Sequence, residues 1–215
     1  MKNFALVLSG CGVYDGAEIH EAVTAMLAIC RKGHHCQAFA PDLPQHHVVD
    51  HITTQEMPER RNMLVESARI TRGKAENLAT FDASNYDALL FVGGFGAAKN
   101  LSDFVFQGEN YTVIDPVVDA IQAMHSAGKP IGAMCIAPML VAGVIKGVEL
   151  TLGAPSEAAE IAEKRGAVHK VTSHGEVVVD TKNKVVTTPC YMLDANIAQV
   201  SDGAERLVEE LLKLM

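Results

Sequence analysis

Short apolar runs alternate along the chain with longer segments whose apolar residues recur every three or four positions. Phe4–Leu8, Cys36–Ala40, Ala88–Val92, Pro130–Met134 and Leu150–Leu152 read as strands. Ala88–Val92 is nearly continuous in apolar character, as expected at the centre of a parallel sheet covered on both faces. Glu18–Lys32 places Ile19, Ala22, Val23, Met26, Leu27 and Cys30 on one helical face, which the spacing predicts to be buried, and Gly33 ends that helix. Pro58 opens a helix through Arg69, with Met63, Leu64, Ala68 and Ile70 as its apolar side. Asp115-Pro116 opens another that runs to Ala127 and stops at Gly128. Further helices begin near Ile136, at the cap Ser156 (through Arg165) and at Gly203, the last closing the chain at Met215. Glu176–Val179 and Lys184–Val186 flank the polar turn Asp180–Asn183 in a hairpin pattern. Residues 42–57 read as an irregular connection, and 103–114 yield no element.

Alternation of this kind predicts an α/β fold with a mostly parallel sheet and helices on both faces. The length of 215 residues suits one domain spanning 1–215, and no linker or repeat divides it. In such sheets ligands bind outside the carboxyl ends of the strands, so the loops after the strands are where chemistry is expected. A formal charge of −8 repels phosphate backbones, which argues against a nucleic-acid partner. No stretch approaches the roughly 20 apolar residues that span a bilayer, so no membrane partner is expected. Cys11, Cys30, Cys36, Cys135 and Cys190 form no CxxC pair and are expected to be free thiols in a reducing, cytosolic location.

The strongest local signal is Gly132-Ala-Met-Cys-Ile-Ala-Pro138. A nucleophile on a sharp strand-to-helix turn needs small neighbours two positions either side, here Ala133 and Ala137. The helix start favours a thiolate at Cys135, and N–H groups at the turn, that of Ile136 among them, can hold an oxyanion. The Gly93-Gly-Phe-Gly96 loop follows a core strand, and its amides can form an anion-binding concavity. At the start of the first helix, Glu18 and Glu21 share a face while His20 points elsewhere. A carboxyl group there has two uses: kept neutral by burial it donates to a thiolate, and ionised it shuttles protons. Gly10-x-Gly12-x-x-x-Gly16 with Asp42 is a weak dinucleotide pattern, its third glycine one position late. His46, His47 and His51 lack ligand partners at metal spacing, so no metal is expected.

Five ordered segments, LSGCGVYDGAEIHEAV (8–23), RNMLVESARITRG (61–73), VGGFGAAKNLSDF (92–104), GKPIGAMCIAP (128–138) and KVVTTPCYM (184–192), resemble the class I glutamine amidotransferase-like superfamily in its PfpI-like division. Within that division the chain is most similar to the ElbB-type proteins, described as glyoxalases. The resemblance implies a flavodoxin-like three-layer sandwich, a reactive Cys135, a helix-borne Glu21 beside it with Glu18 as understudy, and an oxyanion region at Gly93 and Gly94. It also implies a homodimer. Many PfpI-like relatives follow the nucleophile with His, whereas here Ile136 does, and Gly153 stands where others carry a His. A full Cys–His–acid triad is therefore missing, which removes support for glutamine or peptide hydrolysis. Addition of a thiolate to an aldehyde needs less, and points to a cofactor-free glyoxalase acting on a small dicarbonyl through a Cys135 hemithioacetal, with Glu21 as shuttle and Glu18 or His20 in support. The alternative is an electrophile or redox sensor, or a partner-binding protein, using the same Cys135. Cys11 and Cys190 fall beside the crevice loops, where a packing role is expected of each.

Overall fold

In the computed structural model, which describes residues 1–215, the chain runs β1 (Asn3–Val7), α1 (Ile19–Arg31), β2 (His35–Ala40), β3 (Val48–Val49), β4 (Glu56–Met57), α2 (Met63–Ile70), β5 (Ala75–Asn77), β6 (Ala88–Phe91), α3 (Phe95–Lys99) and α4 (Phe104–Gln107). It continues through α5 (Asp115–Ser126), β7 (Ile131–Met134), α6 (Pro138–Val144), β8 (Glu149–Leu150), α7 (Glu157–Lys164), β9 (Val168–His169), β10 (Val178–Asp180), β11 (Val185–Thr188) and α8 (Ile197–Leu214). The central sheet has the order β10-β11-β7-β6-β1-β2-β5. Its pairings are parallel except for the β10–β11 hairpin at one edge.

Two-residue alternation sends Leu89 and Phe91 to one face of the sheet and Leu6 and Leu90 to the other. On the first face they meet Ile121 of α5, Leu140 of α6 and Ile161 of α7. On the second they meet Ile29 of α1 and Leu207 of α8. The result is the mostly parallel α/β sheet that the alternation predicts, in the flavodoxin-like sandwich that the resemblance implies, with β1, β6 and β7 at its centre. The carboxyl ends of those three strands lie side by side, and each releases a loop into the same crevice.

Several elements differ from the sequence expectation. The buried face of α1 is Glu21, Ala22, Thr24, Ala25, Ala28 and Ile29, while Ile19, Val23 and Leu27 are exposed. The alanines are small enough to bring α1 close against α8 and the sheet, so the close-packed face is the less hydrophobic-looking one. α2 begins at Met63 and not at Pro58, because Asn62 accepts the Val65 N–H at 3.1 Å and fixes the cap there. The 42–57 segment holds the small β3–β4 hairpin. The expected strand at Leu150–Leu152 is instead β8, which pairs with β9 outside the main sheet. α6 begins at Pro138, two residues later than expected near Ile136. α8 starts two turns before Gly203, where Asn196 and Gln199 form a reciprocal capping box.

Candidate functional site

The turn after β7 holds Cys135 at φ 58, a left-handed conformation that a non-glycine residue adopts at a cost of order 1–3 kcal/mol. Two hydrogen bonds fix it there. The Cys135 N–H donates to Thr188 O at 2.9 Å, and the Ala137 N–H donates to Met134 O at 2.9 Å. Pro138 then starts α6 in a position where no N–H is needed. The Cys135 side chain is 7% exposed. Burial, and then the charge of Glu21, push its thiol well above the usual range, while N–H groups of Gly94 and Ile136 facing the sulfur pull it down. The helix start was expected to favour a resting thiolate. Burial outweighs it, and the resting group is a thiol.

Glu21 is fully buried in the first turn of α1. Glu18 caps that helix, its Oε2 accepting the Glu21 N–H at 2.7 Å, and its own N–H donates to Gly93 O at 3.0 Å. Glu21 Oε2 accepts the Gly93 N–H at 3.0 Å, whereas Oε1 is buried with no hydrogen-bond partner. Burial, with the negative charge of Glu18, raises the Glu21 carboxyl from 4.5 to about 8; the Cys135 thiol and backbone N–H groups oppose that rise. At neutral pH Glu21 therefore keeps its proton, and thiol and carboxyl do not ionise independently.

Gly93 explains how the two groups come together. A Cβ at that position would lie 2.5 Å from Cys135 Cβ and 2.7 Å from Glu21 Oε2, so both side chains close over the missing methyl. Gly94, at φ +90, brings its backbone to where a Cβ would lie 2.5 Å from Glu18 N and from Gly16 O. The β6 loop, the α1 start and the Cys135 turn are thus packed backbone to backbone.

Of the residues singled out in the sequence, Cys135, Glu21, Glu18, Gly93, Gly94 and Ile136 converge in this crevice. Gly93 was expected to supply an oxyanion N–H, but that N–H is taken by Glu21, so its place in the site is to position the carboxyl. The N–H groups facing the sulfur belong to Gly94 and Ile136. His20 turns to Tyr191, its Nδ1 lying 2.8 Å from the hydroxyl, and half of its side chain is in solvent. Cys190 is buried beside Cys135, with the Cys135 N–H facing its sulfur, while Cys11 lies near Glu66 and Arg69. The His51 ring packs at a tilt against Tyr14, and that of His46 against Phe106; no three His, Cys, Asp or Glu side chains converge in a metal-holding group.

The crevice opens into a cavity of about 370 Å³ over Cys135, walled by Val13, Phe95, Phe104, Val105, Ile136 and Met192, with Glu18 its one charged residue. Tyr191 completes the wall. Tyr191, Thr188 and Met192 were not singled out, although they follow β11, and the rule that post-strand loops carry chemistry marks that stretch too. Phe104 and Val105 come from a segment whose sequence yielded no element.

No family model matches the chain. It is 49% identical to the human glutamine amidotransferase-like class 1 domain-containing protein 3, mitochondrial, across 98% of this chain and 82% of that one. The crystal structure of an isoprenoid biosynthesis protein with amidotransferase-like domain from Ehrlichia chaffeensis superposes with a TM-score of 0.90 at 34% identity, covering 99% of this chain and 100% of that one. Glyoxalase III from Candida albicans shares the fold at a TM-score of 0.63 and 16% identity, covering 97% of each chain. The expected cytosolic location is corrected by these relatives: the human protein and the ES1 proteins of rat and zebrafish are all named mitochondrial. Free thiols and the lack of a long apolar run, on which that expectation rested, suit the interior of an organelle equally well. With this identity sustained over 98% of its length, the chain belongs to the family of glutamine amidotransferase-like class 1 domain proteins that includes the ES1 proteins.

Proposed function

We propose that the protein is a cofactor-independent glyoxalase of the ElbB type, converting a dicarbonyl to the 2-hydroxy acid through Cys135. The observation that carries this reading is the isolated pair: a buried thiol and a buried carboxyl held at about 8 close over Gly93. Such a pair can move one proton back and forth in a dry site, which is what isomerising a hemithioacetal requires.

The reactive form of the pair holds a single proton. Glu21 takes it from the thiol, and the sulfur adds to one carbonyl carbon of the dicarbonyl. The resulting alkoxide lies against the Gly94 and Ile136 N–H groups and receives the proton back from Glu21. Glu21, now a carboxylate, removes the hydrogen on the sulfur-bearing carbon to give an enediolate and returns that proton to the neighbouring carbon, while the hydroxyl proton on the sulfur-bearing carbon passes to the oxygen of its neighbour. The product is a 2-hydroxyacyl thioester. Water cleaves it, restoring the Cys135 thiol and releasing glycolate from glyoxal or lactate from methylglyoxal. One water is consumed and no net redox change occurs. Glu18 supports the pair by its charge, and His20, through Tyr191, lies at the mouth.

An oxidant-sensing role for the same Cys135 is disfavoured, because sensor thiols combine exposure with a low pKa, and Cys135 has neither. Purified protein is expected to form glycolate from glyoxal catalytically, and a Cys135→Ala variant to lose at least a thousandfold of that rate. Product formation unchanged in the variant would sink the reading.

A further inference from the structure

The glyoxalase reading leaves most of the cavity unexplained. Glyoxal has four heavy atoms and a volume of about three waters, roughly 90 Å³. The cavity over Cys135 measures about 370 Å³. Its wall beyond the sulfur is made of Val13, Phe95, Phe104, Val105, Ile136 and Met192, none of which has anything to offer a second aldehyde group. Neither lysine nor arginine lines it, so it has no counter-charge for a carboxylate or phosphate on the substrate. The one charged wall residue, Glu18, repels anions, and the Tyr191 hydroxyl is engaged by His20. Phe95 and Val105 remain 43% and 44% exposed, an apolar rim with no covering in the free protein.

We propose that the cavity is a subsite for an apolar substituent, and that the substrate of Cys135 is a 2-oxoaldehyde carrying an aryl or bulky alkyl group rather than glyoxal itself. The inference rests on the reading of Cys135 as a carbonyl nucleophile. A substituent on the carbon next to the aldehyde projects away from the sulfur and displaces water from the apolar wall. Burying a ring's worth of apolar surface there raises apparent affinity or kcat/KM by about ten- to a hundredfold. The same wall disfavours the hydrated aldehyde, whose two hydroxyls would find too few partners, and so selects the free carbonyl that a thiolate attacks.

Two measurements test this on the intact protein and separate it from the glyoxalase reading. The first is the protection of Cys135 from iodoacetamide by phenylacetaldehyde and by acetaldehyde, each corrected for its hemithioacetal with free 2-mercaptoethanol. Turnover is not needed for it. Half-protection by phenylacetaldehyde is expected at a concentration at least tenfold lower, and Val105→Asn should narrow that ratio at least threefold. Equal protection by the two aldehydes overturns the inference, whatever the turnover. The second is kcat/KM for glyoxal, methylglyoxal and phenylglyoxal, with phenylglyoxal expected highest. No turnover of any of them, with graded protection, would sink the glyoxalase reading and leave the apolar subsite standing. Glyoxal turned over at least as well as phenylglyoxal, with equal protection by the two aldehydes, would keep the glyoxalase reading and remove the subsite.

Discussion

Helices α1 and α2 each carry a buried glutamate in the first turn, Glu21 and Glu66, and their surroundings differ in every respect that sets charge. Glu66 Oε2 lies 2.9 Å from the Arg69 Nε and 3.7 Å from an Arg61 nitrogen, and its helix is capped by the neutral Asn62. Glu21 has no cation partner, shares its crevice with a thiol, and sits on a helix capped by a second acid, Glu18. The same residue type in the first turn of a helix is therefore paired with cations in one case and left with a raised proton affinity and no cation in the other. A buried carboxyl without a counter-ion lowers stability, and it persists where its proton is put to use.

The comparison breaks most sharply at Glu21→Gln. The amide still accepts the Gly93 N–H but cannot shuttle a proton, so dicarbonyl turnover should fall by about 10²–10⁴-fold. In wild type kcat/KM should rise with pH as the pair loses its first proton at about 8; in the variant the thiol titrates alone and the rise moves upward. A variant with unchanged rate and profile would remove Glu21 from the chemistry.

Stability should move the other way. The folded protein retains a proton on Glu21 that the unfolded chain releases at about 4.5, so the contribution of Glu21 is neutral below that pH and stability declines as pH rises to about 8. Glu21→Gln abolishes the decline and should gain on the order of 2–4 kcal/mol at pH 8.5, read as a higher melting temperature. The gain should vanish at pH 4. Glu66→Gln is the counter-experiment: Arg61 keeps Glu59 and Arg69 is largely in solvent, so the change should cost no more than about 1 kcal/mol at neutral pH, with turnover within about twofold.

The smallest and most selective change is Glu18→Asn, which gives α1 the kind of cap that α2 has. The capping side chain is kept and its charge is lost, so the rise in kcat/KM should shift to lower pH by a fraction of a unit. A shift to higher pH would contradict the assigned effect of Glu18 on Glu21.

What was legible in the sequence followed from local rules. Cys135 stood out because a strand, small flanking residues and a helix start can be read from adjacent letters, and the glycines at 93 and 94 marked close backbone approach. Glu21 was recognisable as a candidate, but its proton affinity was not, since that depends on burial under loops more than seventy residues away. The face of α1 was misread because hydrophobicity alone favours Ile19, Val23 and Leu27, while the packed surface uses alanines where α8 comes close. β5 escaped notice because Ala75–Asn77 is a polar edge strand with no alternating apolar face. Phe104 and Val105 belong to a single helical turn, too short to show a period, and their cavity wall exists only in three dimensions.

The crevice and its cavity draw on residues 13–21, 93–98, 104–105, 135–136 and 188–192, and the His20–Tyr191 contact joins positions 171 residues apart. During synthesis, β7 and its Cys135 emerge long before β11, which supplies the Thr188 carbonyl that holds the Cys135 turn. The strained turn therefore has no anchor, and the cavity no Tyr191 or Met192 wall, until almost the whole chain is available. A nascent or partly unfolded chain carries Cys135 as an ordinary thiol with no shaped pocket around it. A shaped site around Cys135 is thus tied to completion of the fold, and on the glyoxalase reading an unfinished copy has no means of processing a dicarbonyl.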